Sequence, residues 1–235
     1  SQETEMLETL ITEEHEIFRK AVRQFVRAEI EPNVEAWEEA HEVPRDVWNL
    51  FGEQGYLCPW VSEQYGGSGV DLLYSVILAE EFGRTRANAP MIFLHSDIIV
   101  PYIDSFGSDD QKKRWLPGCV SGEIVTAVAM TEPGTGSDLQ GIRTHAVKDG
   151  DHWVINGQKT FISNGLSCDL AIVVCRTDRD ATPAHGGMSL IVVEKKAPGF
   201  VRGRKLEKMG NHAQDTAKMF FEGCRVPEAN MLGKE

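Results

Sequence analysis

No apolar run in the 235 residues is long enough to cross a bilayer. The longest, Met91 to Phe106, is interrupted by His95, Asp97, Pro101 and Asp104 and falls short of the roughly 20 residues a span needs. No basic segment followed by an apolar core opens the chain, so no secretory signal is expected. Cysteine is scarce. Cys58, Cys119, Cys168, Cys175 and Cys224 are odd in number and contain no C-x-x-C pair, which reads as reduced thiols packed as small hydrophobes in a reducing compartment. His15-Glu16 and His41-Glu42 lack the second histidine of a zinc helix, and no Gly-Lys-Ser/Thr phosphate loop occurs. No Ser–His–Asp arrangement is recognisable either. Positive charge is also short: 24 Lys+Arg face 36 Asp+Glu, net -12, and the whole excess lies in residues 1–120, with 10 against 22. That acidity argues against nucleic acid as the main partner.

What is present is ordinary globular composition, 41% hydrophobic and 26% charged, which excludes disorder and fibrous repeats. Ile17, Phe18, Val22, Phe25, Val26 and Ile30 recur at helical spacing. They predict a helix from about Thr12 to Glu31, capped by Thr12 and stopped by Pro32. Further helices are expected from Pro44 to Gly55, from Val70 to Phe82 and from Met91 to Phe106, the last buried on most sides. A short helix capped at Ser108 should end at Pro117-Gly118.

After about residue 120 the period changes to two. Ile124 to Met130, Leu170 to Cys175, Met188 to Glu194 and Ala217 to Phe221 read as strands. Asp149-Gly150 and Asn156-Gly157 should divide Ile142 to Ser163 into three short antiparallel strands. Helices segregated from strands mean an α+β chain, with an all-helical domain over 1–122 and an antiparallel, barrel-like or sandwich domain over 123–235.

One segment carries candidate chemistry. In Val128-Ala129-Met130-Thr131-Glu132-Pro133-Gly134-Thr135-Gly136-Ser137-Asp138 a strand runs into a glycine-rich turn with hydroxyls. Gly134 and Gly136 let a ligand approach the backbone, and exposed N–H groups there can hold an anion. It is not the dinucleotide fingerprint, because Leu139 occupies the third glycine position. On composition alone a plain surface turn is the simpler reading.

The segment Met130 to Asp138 resembles the signature of the acyl-CoA dehydrogenases. Asn156-Gly157-Gln158-Lys159-Thr160-Phe161-Ile162-Ser163-Asn164-Gly165 resembles the family's second flavin segment. Gln214-Asp215-Thr216, Phe220-Phe221-Glu222 and Val226-Pro227 resemble the end of its middle domain. All three stand in the family's order and spacing. Leu139-Gln140-Gly141, Ala184-His185-Gly186 and Lys205 to Gly210 look most like the long-chain branch.

The resemblance implies a flavoprotein that binds FAD and dehydrogenates fatty acyl-CoA thioesters to trans-2-enoyl-CoA. A carboxylate removes the α-proton and the β-hydride goes to flavin N5. It further implies a helical C-terminal domain that this sequence lacks, with the catalytic Glu beyond residue 235, so no catalytic residue is assigned here. Carried over by position, the backbone of Val128 and Met130 and the backbone and hydroxyl of Thr131 would meet the flavin ring's polar edge. Gly136 and Ser137 would meet the pyrophosphate, and Ser137 also the acyl-CoA. Phe161, Ile162 and Ser163 would lie along the ring, where many relatives have Trp and Thr for Phe161 and Ser163. His185 and Gly186 resemble a substrate-contacting loop, and a solvated loop histidine is the alternative. Leu94 to Val100 could line an acyl tunnel or simply be core. Arg202, Arg204, Lys205 and Lys208 form a basic cluster expected on a solvated face, with CoA phosphates as the alternative partner. Glu132 and Asp138 are expected to bond the turn rather than react. The family also implies homotetramers, an electron-transferring flavoprotein as partner, and the bacterial cytoplasm or the mitochondrial matrix. Alternatives are a same-fold acyl-CoA oxidase or flavin monooxygenase, or a non-catalytic flavin or acyl-CoA binding protein.

Overall fold

The computed structural model describes residues 10–85 and 89–233, so the outer ends of both expected domains, 1–9 and 234–235, lie outside the described residues. The chain opens with helix α1, Glu13–Phe25, whose N-terminus is closed by Thr12 and His15 in a reciprocal capping pair. The ladder then widens into a π turn over Val26–Ile30 and tightens over Glu31–Asn33. Pro32 does not end the helical run as expected. A short α2, Val34–Ala40, follows because Trp37 is buried in the helical core, and the run stops only at left-handed His41.

Helices α3 (Asp46–Glu53) and α4 (Leu72–Gly83) follow the sequence pattern within two residues. The expected helix from Met91 begins at Ile92, widens into a π turn over Leu94–Ile99 and continues into α5, Val100–Phe106. It is not buried all round, because Ile98 and Phe106 are exposed. Helix α6 spans Asp109–Ser121 and passes through Pro117 rather than ending there. The carbonyl that Pro117 leaves unbonded belongs to exposed Lys113, where water can serve it. Leu116, Cys119 and Val120 gain burial by continuing the helix, and left-handed Gly122 closes it.

Eight strands follow: β1 Thr126–Ala129, β2 His145–Asp149, β3 His152–Ser163, β4 Leu170–Arg176, β5 Met188–Glu194, β6 Phe200–Lys205, β7 Thr216–Pro227 and β8 Met231–Leu232. Their order is β6-β7-β3-β2-β4-β5-β8, with β1 pairing β4 off this path. The sheet therefore forks at β4 and does not close into a barrel. Nor is it purely antiparallel, since β1 and β2 both run parallel to β4. Asn156-Gly157 makes no hairpin. It is an irregularity inside one long β3, where a side chain at Gly157 would collide with Thr144.

Alternation sorts the side chains. Ala127, Ala129, Ala171 and Val173 face an inner sheet core with Trp153, Ile155, Met219 and Phe221. Val125, Val128, Leu170, Ile172 and Val192 face outward onto the helices. One face of β1-β4-β5 thus seats the helical half, which fixes where β1 emerges. All five cysteines are free and buried, as their scarcity suggested. Burial pushes the Cys58 thiol well above its ordinary range, away from any reactive value, and the Cys175 thiol up to about 12.

Candidate flavin-binding face

Two strand ends meet at the glycine-rich turn. β1 delivers Met130 and Thr131, and the Thr131 carbonyl accepts the Thr160 N–H at 2.9 Å. At the far end, Asn164 donates its side-chain amide to the Thr126 carbonyl at 3.1 Å. So the exit of β1 and the end of β3 lie side by side, which brings Met130 and Thr131 to Phe161, Ile162 and Ser163.

Beneath them sits a buried ion pair. The Lys159 side chain is fully buried. Its Nζ donates to the Met130 carbonyl at 2.9 Å and to Glu132 Oε1 at 3.0 Å. The Glu132 carboxylate also accepts the backbone N–H groups of Arg143 at 2.8 Å and Thr144 at 2.9 Å. Burial pushes the Glu132 carboxyl up, but bonding from Thr144, Arg143 and Lys159 outweighs it and holds the pKa below its ordinary value. Burial pulls the Lys159 pKa down while Glu132 opposes it. The two directions conflict over one proton. The carboxylate governs, because several donors converge on it, so the pair is ionic. Glu132 is thereby fully engaged as a brace, and Asp138 accepts the Gln140 N–H at 3.2 Å as a local cap.

The surface above this brace is open. Gly134 and Gly136 have negative or extended φ, and a methyl group built on either meets nothing within 4 Å. Neither strain nor crowding inside the chain requires glycine there. Phe161 is 68% exposed and held at φ 59 by a bulge in β3 between Lys159 and Ile162. An exposed aromatic ring in a left-handed conformation is costly. The Ile162 contact is narrowed to its backbone, as the expected Val128 contact already is. The Ile162 side chain is buried in the sheet core and Val128 packs on the helices, so only their backbones remain for a ligand.

His185 and Gly186 are exposed in a short 3-10 turn, Ala184–Gly187. Sequence reasoning missed what holds that turn. Arg176, at the end of β4, donates to the carbonyls of Gln140 at 2.6 Å, Ile142 at 3.3 Å and Ala184 at 3.3 Å. It ties the His185 turn to the segment following Ser137. The basic cluster is a solvated face only in part: Arg204 is exposed, while the other three are engaged. Lys205 bonds the His41 and His212 carbonyls, Lys208 bonds Gln214, and Arg202 donates to the Cys168 carbonyl. Leu94 to Val100 contains core residues His95, Ser96, Ile99 and Val100.

Residues 12–123 match the family model for the acyl-CoA dehydrogenase N-terminal domain, and residues 127–224 the model for its middle domain. The chain belongs to the acyl-CoA dehydrogenase family. It is 48% identical over 96% of its length to the long-chain specific acyl-CoA dehydrogenase, mitochondrial, of Sus scrofa, of which it covers 53%. It superposes on 59% of an acyl-CoA dehydrogenase crystal structure from Geobacillus kaustophilus with TM-score 0.93 and 54% identity, over 95% of this chain. It also resembles a glutaryl-CoA dehydrogenase from Mycobacterium smegmatis in complex with FADH2, at TM-score 0.86 and 28% identity, over 96% of this chain and 57% of that one. The chain thus spans about half the length of the curated relative it matches. The segment that resembles the family signature is the one braced by Glu132 and Lys159, and the segment that resembles its second flavin segment is the bulged end of β3.

Proposed function

We propose that the full-length protein is an FAD-dependent dehydrogenase of fatty acyl-CoA thioesters, and that this chain supplies its flavin-binding face. The observation that carries this reading is the surface described above: two glycines that nothing inside the chain requires, beside an exposed Phe161 in a strained backbone. Both features are costs in the isolated chain, and both are explained if a flat aromatic ring covers Phe161 while phosphates approach Gly136 and Ser137. The residues fit FAD in kind as well. Thr131 and Ser163 offer hydroxyls at the ring's polar edge, and Phe161 offers an apolar face.

Bound FAD supplies the redox chemistry by accepting the β-hydride. The chain's own residues bind and orient. The backbone of Val128, Met130 and Thr131 fixes the ring edge, and Ile162 contributes only its backbone. Ser137, His185 and Gly186 border the acyl-CoA, held together through Arg176. The family resemblance puts the carboxylate that removes the α-proton outside this chain, and Glu132 for its part is committed to Lys159. Fatty acyl chains as substrates follow from the likeness to a long-chain enzyme. An electron-transferring flavoprotein as acceptor, a homotetramer and a home in the bacterial cytoplasm or mitochondrial matrix follow the resemblance. None of the described helices is long and apolar enough to cross a membrane.

The test is optical. Full-length protein should purify yellow, and its flavin absorbance should bleach anaerobically with long straight-chain acyl-CoA. A colourless protein that takes up no FAD would end the reading. Gly136→Val separates binding from folding. Its side chain would enter open space, so apo stability should change by no more than about 0.5 kcal/mol. FAD affinity should fall at least tenfold, read by titrating apoprotein with FAD.

A further inference from the structure

We infer that Lys159 is a positioning residue that sets how strongly the Met130–Thr131 peptide grips reduced rather than oxidised FAD. The inference rests on the flavin reading above. A buried ammonium needs a reason, because burying a charge is costly even when it is paired. Lys159 does more than neutralise Glu132. Its second bond, at 2.9 Å, goes to the Met130 carbonyl, and that carbonyl shares its peptide group with the Thr131 N–H. Charge placed on the oxygen of an amide draws electron density from its nitrogen and makes the N–H a stronger donor. Thr131 is fixed on its other side by Thr160, so the polarised N–H cannot turn away. The ammonium therefore acts through one rigid peptide on whatever meets Thr131.

Reduction adds negative charge to the pyrimidine side of a flavin. A more acidic Thr131 N–H, with a cation behind it, favours that form over the neutral oxidised one. Glu132 opposes this effect while it orients Lys159. Removing one partner or the other therefore shifts the balance in opposite directions. A purely structural brace has no such sign. Loosening it from either end weakens FAD binding in both oxidation states.

The experiment uses the full-length holoenzyme and reads the flavin midpoint potential against a reference dye, together with FAD affinity. Lys159→Met leaves an uncompensated carboxylate and should lower the ratio of reduced to oxidised FAD affinity about tenfold. For a two-electron couple that is about 30 mV more negative. Glu132→Gln leaves the ammonium uncompensated and should raise the ratio by a similar factor. Pairing the two substitutions should return the potential close to wild type. Should Lys159→Met not fold, Lys159→Arg supplies the contrast: it keeps the charge and should hold the wild-type potential while Glu132→Gln moves it upward. Shifts of the same sign, or no shift in variants that still hold FAD, overturn the inference and leave the flavoprotein reading standing. A wild-type protein without FAD sinks both.

Discussion

Glu132→Ala is expected to lower folding stability by about 3–5 kcal/mol, the cost of leaving a buried charge without its partner. The Lys159 side chain is fully buried, so no water replaces the lost carboxylate. Two backbone donors, Arg143 N–H and Thr144 N–H, lose their acceptor in the same step. Exposed pairs such as Lys148–Glu228 and Arg225–Asp149 give the scale for comparison, since pairs of that kind contribute about 0–1 kcal/mol. Urea unfolding of wild type and variant should show the midpoint falling with an unchanged slope. Adding Lys159→Met should recover part of the loss, because it removes the stranded ammonium. A loss below about 1 kcal/mol for Glu132→Ala would show that the pair is not the brace described here.

That brace is also where the sequence was least readable. Local signals did their part: Thr12 and Ser108 cap helices as their spacing suggests, and β5 runs over the residues expected of it. The glycine-rich turn was visible as a composition. Its support was not. A lysine in a strand reads as solvent-facing, and only tertiary structure shows Lys159 turned inward onto Met130 and Glu132. Arg176 is hidden for the same reason, since its three acceptors are carbonyls, which no side-chain pattern encodes. Errors of the opposite kind came from strong local signals that the fold overrode. Pro117 and Asn156-Gly157 look like stops, but α6 has a buried face to extend, and at Gly157 the approach of Thr144 explains the glycine without a turn. Short β6 and β8 went unseen because two to six residues of mixed polarity carry too little periodicity.

Acidification from pH 6.5 to pH 4 is expected to cost the protein about 3 kcal/mol through one group, His95. The side chain is entirely buried. Its Nε2 lies 3.0 Å from the Cys119 carbonyl, which can only accept, so Nε2 carries the hydrogen. Its Nδ1 accepts the Thr126 N–H at 3.2 Å, with the Thr126 hydroxyl at 2.8 Å. The ring is neutral, and a second proton has no place at Nδ1 while Thr126 points there. Burial pushes its pKa down from 6.5 to about 4, with the Cys119 bond opposing. In the unfolded chain His95 takes a proton near 6.5, and in the folded chain only near 4. Over that window the unfolded state binds more protons, so stability falls as pH falls, at about 1.4 kcal/mol per unit of difference. Among the shifted carboxylates, Asp97 is raised from 3.8 by burial and so works in the opposite sense as pH falls. Glu81 and Glu132 have folded pKa values lowered from 4.5, so their contribution persists above that pH and is lost only below it. Urea unfolding at steps from pH 7 to 4.5 should therefore show a decline in wild type that His95→Gln largely removes, with the variant weaker at pH 7 because the bridge from Cys119 to Thr126 is gone. A flat wild-type profile, or an equal slope in the variant, would refute a neutral buried ring. Thr126 opens β1, the strand that carries Met130 and Thr131 to the proposed flavin edge. Holoenzyme taken to pH 4, where the folded ring begins to gain its proton, should consequently lose FAD affinity as the anchor at the root of that strand loosens.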